Sequence, residues 1–224
     1  DGNSRPVGSA WDIGAYEYTG GYNPTPGIVI DTPQPPVVVP VANTLYVSLT
    51  GSDTNPGTEA APLKTIQKAV TLATAGKTVL IKAGVYQNEL ANCSGATCTF
   101  VRVDNSGTAA NPIVIKAYGN GPVTLRGLGF RDTDTDNDGL ADGPLNPSKR
   151  EKLLDIRGNY VYVSDLEFTN SQQMGIEING SFNKVENVVS HDNWSTNIAI
   201  GSSVPGKVEG NLVRYAETYR SRSS

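Results

Sequence analysis

Shortages of particular residue types limit what this protein can be. No apolar run approaches the roughly 18 residues of a transmembrane helix, so none is expected. Basic residues are not in excess, because 18 Lys and Arg face 22 Asp and Glu and give a net charge of -4. A nucleic-acid surface is therefore not expected. Four Phe and one Met, beside 24 Gly and 14 Pro, favour short strands and turns over a helical bundle.

Cysteine and histidine are also scarce. The two cysteines, Cys93 and Cys98, are close enough in sequence to close a small loop as a disulfide bond. Such a bond is typical of a secreted protein. Two free thiols are the alternative. A zinc site would need two more ligands, and the single histidine, His191, is distant in sequence.

A 22-residue repeat organises the chain from residue 153 to residue 213. The same step separates the apolar residues of two columns: Leu154, Ile176 and Ile198, and then Ile156, Ile178 and Ile200. A fixed period of this size predicts a solenoid, whose units bury their apolar side by stacking. Within each unit, apolar residues alternate with period two, which predicts strands. The fold class is therefore all-β, a parallel β-helix of about 22-residue rungs.

A second echo runs between these strands. Similar stretches begin at Val163, Val185 and Val208, and we predict that these three residues occupy one column of the coil. By the same reasoning Asp165, Asn187 and Asn211 occupy one turn position, where stacked polar side chains would hydrogen-bond along the coil.

The repeat is preceded by a predicted cap. A strand is expected at Leu45-Tyr46-Val47-Ser48, and a second at 78–84. Between them, residues 62–75 carry one apolar stripe of helical spacing, which ends at Gly76. The stripe consists of Leu63, Ile66, Ala69, Val70 and Ala73. A solenoid needs a polar-faced cap at its open end, and this amphipathic helix would provide it.

Three segments are predicted along the chain. Residues 1–19 are interpreted as the tail of a preceding domain, because Asp12-Ile13-Gly14-Ala15-Tyr16-Glu17 resembles the closing signature of secreted bacterial β-helix proteins. A single strand that packs on the residues that follow is the alternative. Residues 20–43 form a proline-rich linker. Residues 44–224 form the β-helix domain, which we interpret as truncated at its C-terminus. With no initiating Met and no terminal cap, the sequence is interpreted as an internal piece of a larger, multidomain, monomeric chain.

The entry segment resembles a known family. The resemblance rests on Tyr46-Val47-Ser48, Gly51-Ser52-Asp53, Ala61-Pro62-Leu63-Lys64-Thr65-Ile66, 79–86, Ser106-Gly107-Thr108 and 111–119. These runs are similar to the start of pectate-lyase-like right-handed parallel β-helix proteins, closest to polysaccharide lyases of the pectate and alginate type. The resemblance covers 44–213 and implies a secreted or cell-surface protein, an acidic polysaccharide as partner and calcium as cofactor. It is specific for the fold rather than for an activity.

An acidic stretch lies between the cap and the repeat. Alternating aspartates followed by a glycine can wrap a hard cation in oxygen ligands. They resemble the calcium loops of thrombospondin-type-3-like and dockerin-like repeats. The predicted metal ligands are Asp132, Asp134, Asp136, Asp138 and Asp142. Because this stretch interrupts the solenoid, calcium there would brace an insertion; a solvated acidic loop is the alternative.

One outward column of the repeat carries charge. If the repeated Leu and Ile residues point inward, then Asp155, Glu177 and Ala199 point to solvent, and Arg157, Asn179 and Gly201 follow. Rungs are about 4.8 Å apart, so the two carboxylates should be neighbours. We predict a site for calcium and an acidic sugar on this face, with Arg157, Asp155 and Glu177 as catalytic residues and Asn179 as a substrate-binding residue. Simple charge pairing across rungs is the alternative.

A third candidate is the turn Ser190-His191-Asp192-Asn193-Trp194. It resembles the His-Asp-Asn turn of family-nine-like pectate lyases, where acidic residues that follow bind calcium. Here Ser195 and Thr196 stand in those places, so we interpret the turn as structural. Trp194 and His191 are the predicted substrate contacts.

Three functions follow from these observations. The resemblance implies a calcium-dependent lyase, in which calcium neutralises a uronate carboxylate and a Lys or Arg removes the adjacent proton. A non-catalytic carbohydrate-binding or adhesin-like module is the second possibility. A glycoside hydrolase is the third, and it would use the carboxylate pair Asp155 and Glu177.

Overall fold

The computed structural model describes residues 43–88, 97–129, 150–201 and 208–221. Within these ranges the chain forms one short helix and strands β1 to β13. Their bounds are β1 Thr44–Val47, α1 Ile66–Leu72, β2 Thr78–Ile81, β3 Gly84–Gln87, β4 Thr97–Val103, β5 Ile113–Ala117, β6 Val123–Arg126, β7 Arg150–Ile156, β8 Val161–Ser164, β9 Glu167–Thr169, β10 Met174–Ile178, β11 Lys184–His191, β12 Thr196–Ile200 and β13 Leu212–Tyr219. No helix of the described ranges is long and apolar enough to cross a bilayer.

Parallel pairing organises these strands into a three-sided coil. One sheet has four strands in the order β4-β7-β10-β12. The other wraps two sides, because the first part of β11 pairs with β8 and its last part pairs with β9. Between these parts Asn187 has a φ of 51°, so the strand bends there. All-β parallel β-helix architecture is therefore confirmed.

The repeat sets the register of the four-stranded sheet as predicted. Leu154 pairs with Ile176, and Ile176 pairs with Ile198. Ile156, Ile178 and Ile200 form the next row. Leu154, Ile156, Ile176 and Ile178 are buried in one core that continues through the stack. Each rung thus covers the apolar row of the rung beside it, as the sequence periodicity requires.

The predicted second echo is wrong at its third member. Val163 pairs with Val185, but Val185 pairs with Val213 and not with Val208. In the third rung a longer connection joins β12, which ends at Ile200, to β13, which begins at Leu212. The sequence around Val208 imitates that around Val185 without occupying its place.

The same shift reassigns the predicted polar turn. Asn187 Nδ2 donates to Asp165 Oδ1 at 2.5 Å, as expected for one column. Asn211 belongs to a different column, because its Oδ1 accepts from the backbone N of Asn183 at 2.8 Å. In the next rung, the bend position that corresponds to Asn187 is occupied by Tyr215, which has a φ of 50°.

The helix is shorter than its apolar stripe. It begins after Thr65, whose Oγ1 accepts from Lys68 N at 3.1 Å as an N-cap. Leu63 precedes the helix because its backbone N donates to Tyr46 O at 2.8 Å. The whole stripe is nevertheless buried, and α1 contacts β1, β2 and β4. The helix therefore packs on the first strands of the coil, as a cap does.

Close approach between rungs at Gly180 gives a stability prediction. A Cβ there would lie 2.0 Å from the carbonyl O of Gly158, whereas a Cβ at Gly201 meets no atom of the described residues within 4 Å. We expect Gly180→Ala to lower the free energy of unfolding by about 1–3 kcal/mol, and Gly201→Ala to change it little. Urea unfolding of both variants measures this. Equal effects would contradict the close packing.

Candidate functional site

The outward face of the four-stranded sheet brings the predicted catalytic residues together. Asp155 on β7 is the register partner of Glu177 on β10, and Ala199 on β12 follows. Arg102 on β4 is the partner of Asp155 on its other side. Arg157 and Asn179 come directly after β7 and β10. The 22-residue step therefore predicted which side chains share this face.

A hydrogen-bonded network joins these side chains. Arg157 Nε donates to Asp155 Oδ2 at 2.9 Å. Asn179 Nδ2 lies 2.9 Å from Asp155 Oδ1 and 2.9 Å from Glu177 Oε2. Lys152 Nζ donates to the same oxygen of Glu177. Two cations and one amide thus bind two carboxylates from adjacent rungs. We call Lys152, Asp155, Arg157, Glu177 and Asn179 the face network.

Asp155 does not face solvent, contrary to the sequence-based expectation. Its side chain is 0% exposed, whereas that of Arg157 is 49% exposed. Arg157 contacts one carboxylate oxygen of Asp155 and Asn179 contacts the other, so both side chains cover the carboxylate. The hydrogen bond with Asp155 raises the pKa of Arg157, although partial burial opposes the shift. The charge that this part of the face presents to water is therefore the Arg157 cation.

Lys152 was missed by sequence reasoning. Strict alternation would place it on the inward side with Leu154 and Ile156. In β7 both Leu153 and Leu154 are buried in the core, so the alternation changes phase between them. Lys152 consequently reaches the same side as Glu177. The only sequence signal was the adjacent Leu153-Leu154 pair.

Calcium does not fit the face network. Calcium takes 6–8 oxygen ligands, and both oxygens of Asp155 and Oε2 of Glu177 already accept hydrogen bonds. Asn179 turns its amide nitrogen, not its oxygen, toward the carboxylates. Within the described parts of the chain, no three His, Cys, Asp or Glu side chains are placed to hold a metal ion. The face network is thus a set of ion pairs.

His191 lies in a separate ionic cluster at the end of β11. Its Nε2 is 2.8 Å from Glu167 Oε1, and its Nδ1 is 2.6 Å from Asp192 Oδ2. Tyr219 stacks on the imidazole with ring centroids 4.5 Å apart. Arg220 pairs with Asp192 at 2.7 Å. The structure therefore places His191 between two acids and beneath a tyrosine. Its predicted role in substrate binding remains a prediction.

The rest of the His-Asp-Asn turn is built into the coil. Asn193 Oδ1 accepts from Ser171 N at 3.0 Å, and its Nδ2 donates to Ser190 Oγ and Asn197 Oδ1. These bonds satisfy a fully buried amide, which supports the structural interpretation. Trp194 is half-buried, and its backbone N donates to Ser171 O at 2.9 Å. Substrate stacking on Trp194 stays a prediction.

The His191 cluster gives a pH prediction. Burial raises the pKa of Glu167, but hydrogen bonds from His191 and Thr124 and the nearby His191 charge outweigh it, so the pKa lies below its ordinary 4.5. Glu167 therefore stabilises the fold above pH 4.5, and that contribution is lost as pH falls through the lowered value. We expect the stability gap between wild type and Glu167→Gln to shrink on acidification in urea unfolding. For exposed Glu217→Gln we expect no such change; equal pH dependence in both variants would refute the assignment.

Several predicted features lie outside the described residues. They are segments 1–19 and most of 20–43, Cys93, and the acidic loop with Asp132, Asp134, Asp136, Asp138 and Asp142. Cys98 is buried and takes part in a disulfide bond. The calcium loop and the pairing with Cys93 stay predictions.

Comparison with known proteins identifies the family. The model of the Pel9A-like right-handed β-helix region matches residues 45–224. A pectate lyase, PEL9 of Emericella nidulans, is 31% identical over 81% of this chain, which spans only 40% of that protein. Among solved structures, a rhamnogalacturonan lyase has a TM-score of 0.59 at 18% identity, covering 79% of this chain and 51% of its own. A lacto-N-biosidase of family GH136 from Eubacterium ramulus has 0.57 at 22%, covering 80% and 34%. These two likenesses show the fold alone. The chain belongs to the Pel9A-like family of right-handed β-helix proteins.

Proposed function

We propose that this chain is part of a secreted or cell-surface, calcium-dependent lyase that cleaves acidic polysaccharides of the pectate or alginate type. One observation carries the proposal: Arg157 is half exposed on the sheet face while its partner Asp155 is buried, so the face holds a fixed cation. Family membership and the pectate lyase relative support the reaction class. Because the chain spans less than half of that relative, the activity is proposed for the whole protein.

The reaction would be a β-elimination. A base takes the proton from the carbon next to the uronate carboxylate, the electron pair of that C–H bond forms a C=C bond, and the glycosidic C–O bond breaks with its electrons leaving on oxygen, which takes up a proton. By the family resemblance the base would be a Lys or Arg of the whole protein. Negative charge develops on the carboxylate as the proton departs. A preorganised cation at that position stabilises the transition state. Arg157 keeps its proton because its pKa is raised, so we assign it to charge stabilisation and not to proton removal.

The remaining predicted residues take supporting roles in the proposal. Asn179 and Glu177 hold the network that orients Arg157, and Trp194 and His191 contact the sugar at the neighbouring turn. Calcium is assigned to the acidic loop that contains Asp132, Asp134, Asp136, Asp138 and Asp142, whose alternating carboxylates have the donor chemistry that this ion prefers. There it would brace the insertion.

A hydrolase is the second candidate, and one observation favours it. Asp155 and Glu177 share the amide nitrogen of Asn179, so they are close enough for the roughly 5–5.5 Å separation used by retaining glycosidases. Asp155 is, however, buried and paired with Arg157, and Glu177 is paired with Lys152. Neither carboxylate is placed to attack a sugar or to donate a proton.

A product assay separates these functions. The full-length protein is incubated with polygalacturonate and with alginate, and both unsaturated-uronate absorbance and new reducing ends are measured. A lyase produces both signals. Reducing ends without unsaturation would indicate a hydrolase. Retention on immobilised polyuronate without either product would indicate a binding module and would refute the proposed lyase.

A further inference from the structure

We propose that Arg157, oriented by the buried carboxylate of Asp155, binds the uronate carboxylate of the substrate directly, and that this contact needs no calcium on the sheet face. The inference rests on the proposed function for its ligand. It assigns Asp155 as a positioning residue and not as a metal ligand or nucleophile.

The geometry of Asp155 supports the positioning role. Its two carboxylate oxygens accept from Arg157 Nε and Asn179 Nδ2, each at 2.9 Å, and the side chain is entirely buried. A carboxylate that is covered and accepts a hydrogen bond at each oxygen cannot reach a sugar. It can fix the plane of the guanidinium, because the Nε–H bond anchors one edge of that planar group.

The geometry of Arg157 supports the binding role. A guanidinium has five N–H donors, and Asp155 occupies only the one on Nε. Among the described residues, no other side chain accepts from this guanidinium. Its outer edge therefore offers the parallel N–H pair that matches a carboxylate in bidentate fashion.

The carboxylates around Arg157 are either paired with another cation or covered. Glu177 is paired with Lys152, and Asp104 is paired with Arg102 at 2.8 Å. Asp155 lies below the surface. Asp155 balances the charge of Arg157 from beneath, so an approaching anion meets the exposed guanidinium and not the buried carboxylate.

The orphaned oxygen of Asn179 argues against a bound cation in this network. Asn179 Oδ1 is buried and has no hydrogen-bond partner among the described residues, while Nδ2 contacts both carboxylates. A calcium ion between Asp155 and Glu177 would instead require the amide oxygen to point at it. The donor arrangement stabilises the carboxylates by N–H groups alone.

The test is binding of trigalacturonate to the full-length protein by calorimetry in the presence of EDTA. Its fully methyl-esterified form is the matched uncharged probe. We expect wild type to bind trigalacturonate in EDTA, and to bind the ester more weakly. Arg157→Gln should weaken binding of the charged probe about 10–100-fold, and Arg157→Lys by an intermediate amount. Asp155→Asn should reduce the affinity ratio of charged to esterified probe, which a merely structural role would not change.

Arg214→Gln is the control, because Arg214 is also ion-paired at 2.7 Å, with Glu186, but on a different sheet. It should bind as wild type does. Wild-type binding that is absent in EDTA, or unchanged binding by Arg157→Gln, would overturn the inference. Retained binding without unsaturated product would refute the proposed lyase and leave this inference standing. Formation of unsaturated product by Arg157→Gln at the wild-type rate would refute this inference and leave the proposed lyase standing.

Discussion

Replacing Arg157 with glutamine should lower kcat/KM for polygalacturonate cleavage by about 10²–10³-fold. Removing one preorganised donor at the position where charge develops has an effect of this size in other enzymes. The fold should persist, because the glutamine amide can still donate to Asp155 and the position is half exposed. The measurement is the initial rate of unsaturated-uronate formation by the full-length protein, with unfolding curves for both proteins.

Arg214→Gln provides the comparison for that experiment as well. It removes an arginine of β13 that pairs with Glu186 away from the four-stranded sheet. Its kcat/KM should stay within about two-fold of wild type. A similar loss in both variants would mean that arginine substitutions act through folding, and would remove the support for catalysis on the four-stranded sheet.

Replacing Glu151 with alanine should destabilise the fold by about 3–5 kcal/mol. Glu151 is fully buried and accepts from Asn88 Nδ2 at 2.6 Å, Leu128 N at 3.0 Å and Gln172 N at 2.9 Å. These donors come from three successive turns of the coil. Alanine would remove the acceptor of two backbone N–H groups and the closer acceptor of Asn88 Nδ2, which also donates to Cys98 Sγ at 3.4 Å. Each backbone donor left unsatisfied costs about 1–3 kcal/mol.

The control for Glu151 is Glu209→Ala, at an exposed position, which should change stability by less than about 0.5 kcal/mol. Urea unfolding measures both. Burial raises the pKa of Glu151 above its ordinary 4.5. The contribution of Glu151 to the free energy of unfolding is therefore largest below pH 4.5, and it falls as pH rises through the raised pKa. A loss below 1 kcal/mol for Glu151→Ala would contradict the buried network.

The architecture could be predicted from the sequence because stacking makes it periodic. Each rung must present apolar residues at the same positions, so Leu154, Ile176 and Ile198 report the register directly. The rule failed where a turn changed length. Turns face water and tolerate insertion, so the step from Val185 to Val213 left no periodic trace, and Val208 was a false match.

The candidate site could be predicted only in part. Periodicity identified the residues that share a face, Asp155 and Glu177 among them. It could not show that Asp155 is covered, because burial of an outward side chain depends on the reach of Arg157 and Asn179 from the next positions. Nor could it predict Lys152, whose placement follows from a phase change inside β7. Glu167 and His191 are 24 positions apart in sequence, so no local sequence pattern predicts that they pair.

The central claim is that the outward face of the four-stranded sheet binds an acidic sugar through Arg157. The most direct measurement is a crystal structure of the full-length protein soaked with trigalacturonate. The account predicts a uronate carboxylate in bidentate contact with the Arg157 guanidinium, with Asp155 still buried beneath it. A ligand bound only on the face of β8, β11 and β13, or a calcium ion between Asp155 and Glu177, would contradict the account.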